Sequence, residues 1–492
     1  MADYVVSVGM EVHAELLTQS KMFCRCKVAF GGMPNTRVCP VCIGLPGTLP
    51  VPNRAAVEMV LKTALALNCT IAIDSVFHRK NYFYPDLPKG YQVSQYGDTN
   101  PIGYDGYLEI PTPEGGTKKI KIRRVHLEED TGKLMHLPGG GSGVDYNRAG
   151  VPLMEIVTEF PPDIESPDDA REYLVQLRSL LVYLGVTDGK MAEGSVRCEP
   201  NISIREKGST QYGTKTELKN LNSFRAVQLG VAFEAKRQAE VLESGGTVRQ
   251  ETRGWNEATE SSFLMRTKES EQDYRYFPCP DLIPMHFSEE QIERVRSTIP
   301  ELPLAKLQRY RADYALSDYD AGLLVADRDW AMFFEEALEL GGEAKAICNW
   351  MNGDFAKMLN ESGQGAMAGG KSHPERKTSL VRPEHLVDLA KLVSDATING
   401  KMAKEIFAEV FDTGKMPSQI VEEKGLRQVT DTGAIASAVA EVLASNGSQV
   451  EAYRGGKESL IGFFVGQVMK KTQGRANPQL VQDELKKQLS GD

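Results

Sequence analysis

Over roughly the first 290 residues, apolar and polar positions alternate in short runs broken by Gly and Pro, the period of β-strands. In "YVVSVGMEVHAEL", Tyr4, Val6, Val8, Met10, Val12, Ala14 and Leu16 make an apolar face. Ser7, Gly9, Glu11, His13 and Glu15 share the opposite face. "VRCEPNISIR" (196–205) alternates too, with Arg197, Glu199, Asn201, Ser203 and Arg205 on its polar side. After the turn-like "EKGSTQYG", the run "TKTELKNLNSF" puts Lys215, Glu217 and Lys219 in one phase, so the two runs predict an antiparallel hairpin. In "KIKIRRVHLEED" the apolar positions are Ile120 and Ile122, then Val125 and Leu127. The phase flips at Arg124, as a bulge or a strand end would make it. After the flip, His126, Glu128 and Asp130 share one side and Glu129 takes the other. Helical spacing is confined to 54–67, 167–184 and 223–243, and then dominates after Ser288.

These patterns predict an α+β chain in three parts. An antiparallel sheet domain spans 1–292, an all-α domain 293–415 and a small helical tail 416–492. Residues 361–377 are a Gly/Ser-rich break. Antiparallel sheets can be covered on one face and polar on the other. Here the polar face mixes carboxylates, bases and amides, the makeup of a site for a metal-bound polyphosphate.

Composition narrows the class. The chain has 492 residues, 41% of them hydrophobic, and a net charge of −10. It shows no run of about 18 apolar residues, so no membrane span is expected. Its first residues lack a basic region followed by an apolar core, so no secretory signal is expected and the cytoplasm is the predicted location. Eight cysteines are too sparse for a disulfide scaffold. The acidic balance argues against a general polyanion binder. The mild exception is 452–492, with seven Lys/Arg against four Asp/Glu.

Glu11 and His13 stand two apart on one strand face, within reach of one ion. In the stretch 126–130, Glu128, Glu129 and Asp130 supply hard oxygen donors and His126 an imidazole, a set that suits Mg²⁺ better than zinc or copper. A solvated face or an acidic turn is the plainer reading of each run alone. The stretch "HRKNYFYPDLPKGYQVSQ" adds Arg79, Lys80, Tyr82, Tyr84, Asp86 and Lys89 on what reads as an ordered loop. Its basic and aromatic side chains suit a nucleotide or a tRNA end, or simply a packed loop. "VDYNRAGVPLMEIVTE" places Asn147 and Arg148 before an apolar run whose Glu155 needs a partner. Cys24, Cys26, Cys39 and Cys42 form C-x-C-x12-C-x2-C. The second pair has zinc-ligand spacing and the first is tighter than usual, so a structural zinc and four free thiols both stay open. "GAMAGGKS" (365–372) matches a phosphate-binding loop, but no strand precedes it, so it is read as coincidence. No nucleophile motif points to an amidase.

The stretches "GMEVHAEL", "CPVCIGLPGTLPVPN", "RKNYFYPDLPKGYQVSQ", "HLEEDTGK", "VDYNRAGVPLMEIV", "TELKNLNSF" and "DYRYFPCPDL" together resemble the GatB/GatE family, the B subunits of aspartyl/glutamyl-tRNA(Asn/Gln) amidotransferases. The resemblance covers essentially the whole chain. Met10 stands where Leu is usual and Glu199 where Asp is expected. The resemblance implies a glutamine-synthetase-like cradle, a helical domain and a YqeY-type tail. It implies use of ATP and Mg²⁺ to phosphorylate the side-chain carboxylate of Glu or Asp on a mischarged Glu-tRNA(Gln) or Asp-tRNA(Asn). The amidase subunit GatA would supply ammonia, and GatC would complete a heterotrimer. In this light Glu11, His13, Glu128, Glu129 and Glu217 are the expected Mg²⁺ ligands or their neighbours. Lys80 and Arg148 would steady the phosphoryl charge, Glu217 would complete the cofactor site from the neighbouring hairpin, and Tyr82 would position substrate. A ligase for a free amino acid, a non-catalytic tRNA scaffold and a zinc-dependent nucleic-acid binder are the rival readings.

Overall fold

A computed structural model of the chain describes residues 4–137, 139–267, 273–362, 379–426, 432–472 and 476–490. The Gly-rich break and "GAMAGGKS" therefore lie outside the described residues, apart from the last turn of the helix before them. In chain order the strands are β1 (Tyr4–Glu15), β2 (Thr70–Ile71), β3 (Asp74–Ser75), β4 (His78–Asn81), β5 (Tyr91–Ser94), β6 (Gly103–Pro111), β7 (Thr117–Glu129) and β8 (Lys133–His136). They continue with β9 (Ser142–Asp145), β10 (Pro152–Thr158), β11 (Val196–Glu206), β12 (Thr216–Lys219), β13 (Glu251–Asn256), β14 (Ser261–Thr267), β15 (Phe277–Pro278) and β16 (Met285–His286). The large sheet has the order β14-β13-β12-β11-β1-β10-β7-β6-β2, so β1 sits at its centre.

The alternation in β1 is realised. Val8, Met10, Val12 and Ala14 are fully buried, and Glu11, His13 and Glu15 stand on the other face. The apolar face is covered by α1 (Arg54–Ala66), α2 (Pro167–Tyr183) and α3 (Phe224–Glu243), which share one core with it. Their starts follow capping chemistry. Asn53, Ser166 and Ser223 each accept backbone N–H groups of the first turn. The β7 phase change is a bulge: Arg124 pairs with Val157 and Ile122 with Thr158, which leaves Arg123 as the extra residue.

Two expectations are corrected. The sheet is not wholly antiparallel, because β12 and β13 pair in parallel. α3 lies between them in the chain, and a helical crossover returns a strand in the same direction. The stretch 78–95 is not a loop alone but carries the antiparallel pair β4–β5, with Lys80 opposite Gln92. The prolines and Gly90 fall in the connection between those strands.

The chain divides into two compact units, Met1–Ala305 and Lys306–Asp492. α4 (Glu289–Arg296), which straddles the expected divide at 292/293, sends Val295 into the first core. The second unit is helical and holds two cores. One runs from Tyr310 to Val421 and the other from Ile435 to Leu489. The helix Pro417–Lys424, expected in the tail, gives Ile420 and Val421 to the former. Among the described residues no helix is long and apolar enough to cross a membrane.

In the first unit, α3 is tied to the sheet by a polar cluster. Glu234 is fully buried and accepts from Arg237 Nε (2.9 Å), Arg237 Nη2 (2.7 Å) and Gln238 Nε2 (2.9 Å). Gln238 Nε2 also donates to Ile202 O at 3.0 Å, across the strand beneath. Glu234→Ala would strand these donors. A loss of roughly 3 kcal/mol is expected, the low end for one lost partner of a buried pair, read as a lower urea midpoint.

Candidate active site

Strand register assembles the polar face. Arg197, His13, Glu155 and His126 stand side by side across β11, β1, β10 and β7. In a parallel row Glu199 and Glu11 adjoin Val157 and Arg124. On the other side Glu15 and Glu128 flank Leu153. Four runs that are far apart in the chain therefore place their charges on one surface.

The tightest group is His13, Glu128 and Glu155, whose ligand atoms all lie within 4.8 Å of one another. His13 Nε2 is 3.7 Å from Glu128 Oε1 and 3.8 Å from Glu155 Oε2. Both carboxylates are largely buried. His126 is also buried and reaches Glu155 Oε2 at 2.8 Å and Glu128 Oε2 at 3.6 Å. Burial opposes charge on His126, but Glu155 and then Glu128 outweigh it and raise its pKa to about 9. Burial likewise opposes charge on Glu155, while His126 and then His13 hold its carboxyl well below the usual range. Among the described residues, the buried His126 Nδ1 atom has no hydrogen-bond partner.

The β4–β5 pair supplies the next layer. Ser94 Oγ donates to Glu128 Oε2 at 3.0 Å and orients it. Gln95 Oε1 accepts from Leu127 N (3.0 Å), and Gln92 Nε2 donates to Glu129 O (2.9 Å). These side chains take up edge groups of β7 just past Val125, where the pairing with β6 ends. Lys80 is half-buried, with its ammonium 4.9 Å from the centre of the Tyr274 ring. Burial disfavours that charge, yet Glu128, Tyr276, Glu155 and Tyr82 together raise its pKa. Tyr82 OH donates to Gln92 Oε1 at 3.3 Å.

The remaining predicted residues fall at different distances from this group. Glu11 is on the same face and accepts from Asn201 Nδ2 at 3.0 Å. Burial, with the charges of Glu155, Glu199 and Glu217, raises its pKa against the pull of His13. Glu217 accepts from Thr252 Oγ1 (2.9 Å) and shares Lys219 with Glu199. Arg148 is spent on structure: Nε donates to Thr131 O (3.1 Å), Nη2 to Gly132 O (2.9 Å), and Nε lies 3.5 Å from Asp130. Asp130 also binds Arg197 Nη2 at 2.5 Å. Glu129 points to the other side of β7, as the alternation requires. It pairs with Lys89 and lines a cavity of about 190 Å³ with Lys21, Cys42 and Tyr91. It is thus separate from the His13 group. The sulfurs of Cys24, Cys26, Cys39 and Cys42 lie within 4.8 Å of one another. Zinc–sulfur bonds of about 2.3 Å put tetrahedral sulfurs about 3.8 Å apart, so this donor set fits zinc with a small contraction.

Two members of the central group are not among the ligands expected from sequence. Glu155 is marked there only by its place in an apolar run, and His126 only as the imidazole beside the acids of its stretch, not as an expected ligand. Arg124, the turning point of β7, lies on the polar face with its charge acting on Glu155 and Tyr276, and among the described residues no ion pair holds it. Ser94 and Gln92 carry no signal in the sequence, because hydroxyls and amides this near a loop are ordinary.

Residues 6–293 match the family model described as the GatB/GatE catalytic domain, and residues 332–489 match a GatB domain. The chain belongs to the GatB/GatE family. It is similar to the aspartyl/glutamyl-tRNA(Asn/Gln) amidotransferase B subunit of Caldanaerobacter subterraneus subsp. tengcongensis, at 53% identity over 487 residues and 99% of each chain. The protein of that name from Moorella thermoacetica is 51% identical over 490 residues, 99% of this chain and 100% of its own. That from Syntrophotalea carbinolica is 50% identical over 489 residues, 99% of each chain. As a GatB/GatE member the chain is an amidotransferase subunit, and the polar face lies within its catalytic domain.

Proposed function

We propose that this chain uses ATP to activate the side-chain carboxylate of Glu or Asp carried by a mischarged tRNA, Glu-tRNA(Gln) or Asp-tRNA(Asn). A carboxylate oxygen attacks the γ-phosphorus and ADP leaves. Ammonia then attacks the acyl carbon of the mixed anhydride, phosphate departs, and Gln-tRNA(Gln) or Asn-tRNA(Asn) remains. Ammonia would come from an amidase partner, GatA, with GatC completing a cytoplasmic heterotrimer. The cradle-and-tail architecture of the family belongs to the same reading.

The observation that carries this reading is the buried Glu128–Glu155 pair, with His13 in reach and Lys80 beside it. Two hard carboxylates and an imidazole suit Mg²⁺, whose neighbouring ligands stand about 3 Å apart. The observed 3.7 and 3.8 Å need only a small closure. Glu11 and Glu217 would stand next to that group. Mg²⁺, when bound, supplies charge neutralisation at the phosphates. Ser94 holds the Glu128 carboxylate in place. Lys80 and Arg124 neutralise charge on the phosphoryl oxygens, since both cations face the carboxylate pair. Tyr82 and Gln92 shape the wall beside Lys80. Arg148 holds Asp130 and the turn after β7, which is a positioning role.

The test is ADP release by the enzyme reconstituted with its partner subunits, with Mg²⁺, ATP and either charged tRNA. ADP formation that requires the charged tRNA is expected, and the preferred tRNA names the substrate. ADP formation at the same rate with uncharged tRNA would overturn the reading.

A further inference from the structure

Four tyrosines run along one side of the site. Tyr82 meets Tyr274 edge-on at 5.9 Å, and Tyr274 meets Tyr276 edge-on at 6.1 Å. Tyr276 and Tyr96 differ: their rings are parallel within 12° at 4.2 Å. Edge-on contacts are how aromatic side chains fill space, whereas a parallel stack presents a flat outer face. That face belongs to Tyr96, which is 55% exposed.

The stack is built in place. Asn100 Nδ2 donates to Tyr96 O (3.1 Å) and Val76 O (3.1 Å), and its Oδ1 accepts from Val76 N (3.0 Å). His78 backs Tyr96 edge-on at 6.1 Å. Tyr276 directly precedes β15, whose Phe277 pairs with Arg79, so it stands next to Lys80. Burial raises the Tyr276 pKa to about 12, and the charges acting on it are Lys80, Glu128, Glu155 and Arg124. Those are side chains of the candidate phosphoryl-transfer site. An exposed aromatic stack beside cations and carboxylates matches a nucleotide, with its base on the rings and its phosphates on the charges.

We propose that the Tyr96–Tyr276 stack is a platform for an adenine base. The proposal rests on the function proposed above, which brings two adenines to this site: that of ATP and that of the 3′-terminal adenosine of the tRNA. The shared chemistry is a planar base on the outer face of Tyr96. Packing of residues 273–278 against the β4–β5 pair would by itself produce the stack but would leave substrate constants untouched.

The experiment compares wild type, Tyr96→Leu and Tyr96→Phe in the reconstituted enzyme. Each substrate is varied with the other saturating. Tyr96→Leu is expected to raise KM for one adenine-bearing substrate by roughly ten- to a hundredfold, the span of one lost base–ring stack, with kcat within about twofold. Tyr96→Phe keeps the ring and is expected near wild type. A rise confined to ATP, with weakened preference for ATP over GTP, assigns the base of ATP. A rise confined to the charged tRNA, with binding of tRNA lacking its terminal adenosine unaffected, assigns the acceptor end. Equal constants in all three proteins overturn the platform. Equilibrium binding of ATP and of tRNA to the same proteins reads the stack without turnover. An absence of charged-tRNA-dependent ADP in wild type would count against the function alone.

Discussion

Glu128→Gln is expected to lower charged-tRNA-dependent ADP release by roughly a thousandfold, the scale at which one preorganised electrostatic contact in a closed site acts. The substitution is nearly isosteric. The Gln carbonyl can still accept from Ser94 Oγ, now 3.0 Å from Glu128 Oε2, so the packing around β7 survives. What disappears is one of two buried negative charges that face His13 and Lys80. A cation held between Glu128 and Glu155 loses half of its charged donors. Lys80 loses its strongest electrostatic partner, since Glu128 is the main charge raising its pKa. Single-turnover ADP formation with charged tRNA measures the chemistry, and a thermal melt checks the fold. Because Glu155 still pairs with His126 at 2.8 Å, the melt is expected to shift by only a few degrees. Release within a few-fold of wild type would move the reaction away from this group.

Loss of metal from the four-cysteine corner has the second largest expected effect. Between Cys24 and Asn53 the chain forms turns and bends with little strand or helix pairing, apart from the single bridge of Ser20 with Lys27. Such a segment has few backbone ladders to hold it, and a metal cross-link replaces them. Structural zinc contributes roughly 10 kcal/mol or more of binding free energy in small zinc modules. The purified protein is expected to carry about one zinc per chain, and Cys39→Ser to carry almost none. In the variant, proteolysis within residues 24–50 should rise at least tenfold. The sheet core should keep its melting temperature, because most of its apolar residues come from β1, β7, β10, β11 and α1–α3. A zinc-free protein with equal proteolysis would make the four sulfurs free thiols.

Much of the sheet was legible because alternation is a local property. Ala14, Val12 and Met10 had to face one way if Glu11 and His13 faced the other, whatever the strand paired with. The bulge in β7 was legible for the same reason, as a break in the phase. The parallel pair β12–β13 was not, because the direction of a returning strand depends on what α3 packs against. Glu155 shows the limit most plainly. Its run "PLMEIVT" marks it as a carboxylate in need of a partner, yet nothing in the run names His126 and His13.

By itself the sequence determined which residues share a face, where helices start and which carboxylates carry an unmet electrostatic demand. Those follow from the two-residue period of strands, from capping and from the cost of burying charge. Only the tertiary structure decided which carboxylates meet. It put Glu128 with Glu155, turned Glu129 towards Lys89, spent Arg148 on the turn after β7 and left Arg124 facing the site. The reason is register: partners across β11, β1, β10 and β7 are set by how four strands align, and that alignment is settled by the shared core beneath them.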